Sequence, residues 1–340
     1  MPSTVFVTDP THTEHHSAGH PERPERLEAI VAHLEALGLR GRMRELAPRE
    51  ATDGELLAVH TPELLAAVER AAARSAFLDP DTYTTSETPG IARRSAGALL
   101  VAVDAVLRGE TANGFVATRP PGHHATAGQA MGFCSFNGIA IAAASVLRAG
   151  VERLAIVDWD VHHGNGTQAV FAADPRVLYV STHAYPFYPG TGGVSEIGTG
   201  EARGTMVNVP LPRETGDEGF VAAYERVAVP ALERHRPQLV LVSCGWDAHA
   251  RDFLATLNVT TEGYLRAASL VLAAARGLCD GRLVATLEGG YDTHALAWCS
   301  SGLAELLLGE PVTPDPEPVA PPPGPDVTSI IEAVRIAVGL

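Results

Sequence analysis

Six short apolar runs carry almost no alternation of apolar and polar residues: TVFVT at 4–8, GFVATR at 114–119, LAIVDWD at 154–160, VLYVST at 177–182, QLVLVSC at 238–244 and RLVATLE at 282–288. A strand with one face in water alternates, whereas a strand covered on both faces does not. Between the runs lie longer alanine- and leucine-rich stretches of helical character, at 91–108, 137–149, 217–235 and 261–277. Doubly buried strands alternating with helices predict an α/β fold, a three-layer α/β/α arrangement around a mainly parallel sheet. No internal repeat interrupts it.

The same runs share a second property, because each delivers chemistry-bearing residues at its carboxyl end. They lead into DPTHTEHHSAGHPE, PPGHHA, VHHGNG, HAYPFYPGTGG, GWDAHARD and GGYD. In open parallel sheets the carboxyl rim is where ligands bind, since the strand ends open onto a loop-lined crevice. One histidine there is an ordinary loop polar. Six loops rich in His, Asp and Tyr on one rim predict a site.

Within LAIVDWDVHHGNG, side chains alternate, so Asp158, Asp160 and His162 can share one side while Trp159, Val161 and His163 take the other. Carboxylates held this close repel unless a cation compensates them. Asp160 and His162 make a ligand pair, and Asp247, in GWDAH, is the best-placed third ligand. Three protein ligands leave positions for water and substrate, as catalytic zinc sites do; the oxygen-rich donor set also admits Fe²⁺ or another divalent ion. His123 and His124 supply adjacent imidazoles able to take and return a proton near neutral pH. Asp158 can orient one of them as a triad acid does, and Asn165 the other without adding a full charge. Tyr291 follows two glycines and is the natural oxyanion donor.

Composition narrows the partners. The formal charge is −15 with no lysine, all 25 basic residues being arginine, and so acidic a surface excludes nucleic-acid binding as the main activity. Cys134, Cys244, Cys279 and Cys299 form no CxxC pair and sit in or beside apolar runs, which predicts reduced, buried thiols and a cytoplasmic location. The stretch GIAIAAASVL is well short of a membrane span, and the opening MPSTVFVTDP holds too short an apolar run for a secretory signal. The proline-rich segment 310–326 reads as an extended linker between a domain at 1–309 and a short helix at 327–340. Ser329 and Glu332 are spaced as a capping box, and the helix's apolar residues predict packing on the domain or on a second copy of the chain, a homo-oligomer.

From about residue 12 to residue 305 the chain resembles the histone deacetylase family, which has the arginase–deacetylase fold. The motifs GHPERPERL, RPPGHHA, GFCSFN, VDWDVHHGNGTQ, FYPGTGG, GWDAH and LEGGYD stand in the family's order, with wording similar to the class II branch and its bacterial relatives. The resemblance implies zinc held by Asp160, His162 and Asp247. It implies a tandem acid/base pair, His123 backed by Asp158 and His124 by Asn165, with Tyr291 polarising the substrate carbonyl. Gly132 and Phe133 become one wall of an acyl-lysine channel, with Asp81 as the rim aspartate that holds the substrate backbone. A structural K⁺ would be held by Asp158, by the carbonyls of Asp160 and His162, and by Ser181 with Thr182.

Departures bear on the substrate. Tyr188 stands where the opposite channel wall is often Phe, Trp246 where Phe is commoner, and Leu254 where polyamine-selective members carry an acidic gatekeeper. The leading expectation is therefore hydrolysis of an Nε-acyl-lysine amide on a protein or peptide. Beside it stand deacetylation of a polyamine or other small acylated amine, an arginase-like two-metal hydrolase using His249 and Asp252, and a non-catalytic acyl-lysine-binding module.

Overall fold

The computed structural model describes residues 4–254 and 256–340. Eight strands form one parallel sheet: β1 (Val5–Thr8), β2 (Arg44–Leu46), β3 (Gly114–Ala117), β4 (Leu154–Asp158), β5 (Val177–Ala184), β6 (Met206–Leu211), β7 (Val240–Cys244) and β8 (Leu283–Leu287). Their order is β2-β1-β3-β8-β7-β4-β5-β6, and every pairing is parallel. The six expected strands are all present, most of them a residue or two shorter than their apolar runs.

Alternate residues of the central strands feed two separate cores, which is why the runs lack a polar face. Phe6, Phe115, Ala155, Val157 and Val242 pack beneath α1 (Glu25–Ala36), α7 (Asp217–Ala223), α8 (Val229–His235), α9 (Thr261–Cys279), α10 (Thr293–Leu308) and α11 (Thr328–Val338). Val5, Val7, Val116, Ile156 and Leu241 pack on the other face against α2 (Asp53–Leu56), α3 (Pro62–Ala72), α4 (Thr88–Leu107), α5 (Gly138–Arg148) and α6 (Asn165–Phe171). The architecture is a three-layer α/β/α sandwich. No helix among the described residues is long and apolar enough to cross a membrane.

Two strands escape a reading of the apolar pattern. β2 is a three-residue edge strand whose side chains are exposed or half-exposed. β6, MVNVPL, contains Pro210, which ordinarily argues against a strand. Here β6 pairs with β5 alone, so the missing N–H costs no sheet hydrogen bond, and α11 covers this edge. The expected capping box on α11 does not form. Asp326 accepts the Thr328 N–H at 2.8 Å instead, and Glu332 pairs with Arg226 and Arg335. All four cysteines are buried and free.

His60 ties the connection between α2 and α3 to the loop before α5: its Nδ1 donates to the Thr126 carbonyl at 2.9 Å, and its Nε2 accepts the Asn137 N–H at 2.9 Å. Burial lowers its pKa from 6.5 to about 4. The unfolded chain thus binds the proton more tightly, so His60 contributes stability that is full above pH 6.5 and lost as pH falls toward 4. We expect the stability advantage of wild type over a His60→Gln variant, measured by urea denaturation, to shrink by on the order of 2 kcal/mol between pH 7 and pH 4.5. An unchanged difference would mean that the imidazole is not held neutral.

Candidate active site

Strand order assembles the site. β3, β8, β7 and β4 are consecutive in the sheet, although β8 comes last in the chain. Their carboxyl ends therefore bring together His123 and His124 from β3, Tyr291 from β8, Asp247 from β7, and Asp158, Asp160 and His162 from β4. The expected ligands and bases converge on this one rim.

Asp160, His162 and Asp247 place one potential donor atom each within 4.8 Å of one another. His162 Nδ1 lies 3.1 Å from Asp160 Oδ1 and 3.2 Å from Asp247 Oδ2. The remaining carboxylate oxygens are braced by the backbone: Asp160 Oδ2 accepts the Gly289 N–H at 2.8 Å, and Asp247 Oδ1 accepts the Val161 N–H at 2.8 Å. Both aspartates are fully buried. A Cβ on Gly245 would overlap Asp160, and one on Gly289 would overlap both aspartates, so these glycines are required for the close approach. Two buried carboxylates facing one imidazole nitrogen form a donor set that fits a divalent cation.

The tandem histidines are split by their partners. His123 Nδ1 donates to Asp158 Oδ2 at 3.0 Å, and Asp158 also receives the Tyr179 hydroxyl at 2.9 Å. Burial opposes charge on His123, but Asp160 and Asp158 outweigh it and raise its pKa to about 10. His124 Nδ1 donates to the neutral Asn165 Oδ1 at 2.8 Å; burial, with His123 and His162 alongside, holds it well below the ordinary histidine value. The two rings lie 4.1 Å apart between centroids. One favours the imidazolium and the other the neutral base, a division of acid and base roles set by environment.

Tyr291 is buried and clamped from behind. Its N–H donates to Asp252 Oδ2 at 2.5 Å, and the Asp292 N–H reaches the same oxygen at 3.1 Å. The Arg26 guanidinium lies 4.8 Å from the centre of its ring, while Arg26 itself donates to the carbonyls of Gly290 and Glu288, each at 2.5 Å. Glu22 joins Arg26 at 3.1 Å to Arg119, whose fork grips the Glu22 carboxylate at 2.7 and 2.5 Å. Burial raises the Tyr291 phenol well above its ordinary pKa, with Asp247 and Asp160 adding to the effect and Arg26 opposing it. A protonated hydroxyl is thus fixed beside the carboxylate cluster.

The rim and channel residues fall around this centre. Phe133 sits edge-on to Tyr291 with centroids 5.8 Å apart, its own φ at +68°. Opposite, Tyr188 is edge-on to His124 at 5.1 Å, and a Cβ on Gly132 would lie 3.0 Å from its hydroxyl. Asp81 is exposed at the rim, pushed up to about 6 by partial burial and by Asp79. Asp79 is the aspartate tied to the channel glycine, accepting the Gly132 N–H at 3.2 Å. Leu254 is half-buried, its N–H held by Asp252 at 3.0 Å. Among the residues expected to hold a monovalent cation, the Ser181 hydroxyl meets His183 and the Thr182 hydroxyl meets Tyr224, each at 2.8 Å.

Sequence reasoning missed Glu22, Arg26, Arg119, Asp79 and Glu288, and weighed Asp252 only as a spare metal ligand. Glu288 braces the tandem pair: it accepts the N–H groups of Gly122 and His123 at 2.6 and 3.1 Å and the Ser243 hydroxyl at 3.0 Å. Together with Cys134 and His123 it forms a second compact donor group. Its oxygens are already occupied, however, and the Cys134 thiol is held protonated by burial, so this group is scaffold. Asp252, which the two-metal reading needs as a ligand, is committed to three backbone N–H groups. Most of these residues stood inside or beside the quoted motifs; nothing in the sequence showed that their charges are buried against one another.

Comparison with known proteins agrees with this geometry. Residues 20–307 match the histone deacetylase domain. The chain is 40% identical over 296 residues to a probable deacetylase of Archaeoglobus fulgidus, covering 86% of this chain and 82% of that protein. It is equally 40% identical to a histone deacetylase-like amidohydrolase of Pseudomonas aeruginosa, over 86% of this chain and 78% of the relative. It is 39% identical to human polyamine deacetylase HDAC10, over 88% of this chain but 46% of that longer protein. The crystal structure of the HDA15 HD domain superposes with a TM-score of 0.88 at 35% identity, covering 100% of this chain and 94% of that one. The chain belongs to the histone deacetylase family and is a hydrolase of amide bonds.

Proposed function

We propose that the chain removes acetyl or other acyl groups from Nε-acyl-lysine side chains, with zinc as the resident ion. The observation that carries the reading is the placement of three reactive groups on one rim: the Asp160–His162–Asp247 cluster, the split His123–His124 pair and the buried Tyr291 phenol. A divalent ion held by the cluster would polarise the amide carbonyl and acidify a water, supplying a nucleophile near neutral pH. His124, held neutral, accepts the proton of the attacking water. His123, oriented through Nδ1 by Asp158, turns its Nε2 toward the cluster, 3.8 Å from Asp160 Oδ1, and faces the developing negative charge. Tyr291 donates its O–H to the carbonyl oxygen as it gains charge, and the departing amine takes its proton from the tandem pair. Gly132, Phe133 and Tyr188 wall the alkyl chain and exclude water. Asp158, Ser181 and Thr182, with the carbonyls of Asp160 and His162, are the proposed holders of a structural K⁺. Four buried, unpaired thiols support a reducing, cytoplasmic setting.

A second reading, a small cationic acylated amine such as an acetylpolyamine, draws support from Asp79 and Asp81 side by side at the rim. Leu254 in the gatekeeper position weighs against it. Turnover of the zinc-loaded protein on a fluorogenic acetyl-lysine peptide and on N-acetylputrescine, each with an EDTA-stripped control, decides between them. Metal-dependent cleavage of the peptide is expected. Cleavage of the polyamine alone transfers the reading to the small amine, and activity on neither removes both.

A further inference from the structure

The proline-rich segment is unexplained by the chemistry above, yet it touches both sides of the loop pair that aims Tyr291. Its Asp315 carboxylate, buried, accepts from His294 Nε2 through both oxygens, at 3.0 and 2.9 Å. His294 lies in the first turn of α10, whose N-cap Asp292 directly follows Tyr291. Two residues along the strap, the Glu317 carbonyl accepts from the Arg251 guanidinium at 2.5 Å. Arg251 Nε is buried without a partner, so the strap supplies the side chain's hydrogen bond among the described residues. The next residue, Asp252, holds the N–H groups of Tyr291, Asp292 and Leu254.

We propose that the strap at residues 311–327 positions Tyr291, with Asp315 acting through His294 and α10, and the Glu317 carbonyl acting through Arg251 and Asp252. Asp315, His294 and Arg251 are positioning residues for deacylation. The strap is fixed at points. Thr313 grips Glu305 through its N–H at 2.8 Å and its hydroxyl at 2.5 Å, and a cavity of about 810 Å³ separates Val312, Pro314, Pro318 and Val319 from α9. Loss of one anchor therefore shifts the strap without opening either core, and rigid linkage of packed elements carries the shift to the site.

The inference rests on Tyr291 being the carbonyl donor, and the test separates the two. Asp315→Asn and Arg251→Gln are each expected to lower kcat about fivefold with KM within twofold. Glu332→Gln, which removes the α11 ion pairs at the β6 edge of the sheet, should leave kcat unchanged. In a Tyr291→Phe background, Asp315→Asn should have no further effect on the residual rate. Unchanged kcat in both strap variants overturns the inference, as does an equal loss in the two backgrounds. Full activity of Tyr291→Phe alone overturns the reading of Tyr291 on which it depends.

Discussion

Replacing Asp247 by asparagine is expected to leave a folded protein that no longer retains a divalent ion and has lost about a thousandfold or more in kcat/KM. The substitution keeps shape and one critical hydrogen bond, because the asparagine oxygen still accepts the Val161 N–H that Asp247 Oδ1 takes at 2.8 Å. It removes one of two buried carboxylates that face the same imidazole, so repulsion inside the site falls. Stability of the metal-stripped protein is therefore retained while affinity for the cation drops. Loss of a ligand should exceed the roughly 10- to 100-fold penalty of losing an outer hydrogen-bond partner. Metal content by mass spectrometry, with thermal melts of stripped and reconstituted protein, checks both halves. A variant that purifies with full metal occupancy would move the third ligand elsewhere.

Much of this was readable from the residues, for a physical reason. Strand runs covered on both faces have few ways to be polar, so LAIVD and VLVSC announced their burial, and the loops after them could point only to the carboxyl rim. The ligands and bases stood within a few residues of those strand ends, where alternation and chain direction suffice to place them. The strand order was not readable. Nothing local requires β8 to insert between β3 and β7, yet that insertion carries Tyr291 and Glu288 to the tandem histidines. Edge strands were equally hidden: β2 lacks an apolar run, and Pro210 in β6 is tolerated only because the sheet ends there.

The buried charges form the other hidden layer. Arg119 on Glu22, Arg26 on the Gly290 and Glu288 carbonyls, and Asp252 under Tyr291 are contacts across large sequence separations, and an isolated Arg or Asp in a sequence reads as surface. Asp79 and Asp81 show the limit at finer grain. Two residues apart, they look alike in LDPDTY, but only Asp79 reaches the Gly132 N–H; Asp81 lies exposed beside it. Which of them meets a substrate is decided by a turn geometry that the motif does not encode.

Removing the Tyr291 hydroxyl alone, as Tyr291→Phe, is expected to lower kcat about a hundred- to a thousandfold while KM stays within a few-fold. The ring is held by forces that phenylalanine retains: the Arg26 guanidinium 4.8 Å from its centre, the Phe133 edge at 5.8 Å and the Asp252 grip on the backbone N–H. Only the O–H is lost, and its partner is an oxygen that bears full charge in the tetrahedral state but not in the bound amide. An interaction made in the transition state and not in the ground state appears in kcat rather than in KM. The same variant separates enzyme from binding module, since an acyl-lysine reader would keep its peptide affinity and have no turnover to lose. Steady-state kinetics on the acetyl-lysine peptide, paired with equilibrium binding of the same peptide, provides both readouts. A raised KM at unchanged kcat would make Tyr291 a channel wall, and would leave the charge on the carbonyl oxygen to be met by the cation and His123 alone.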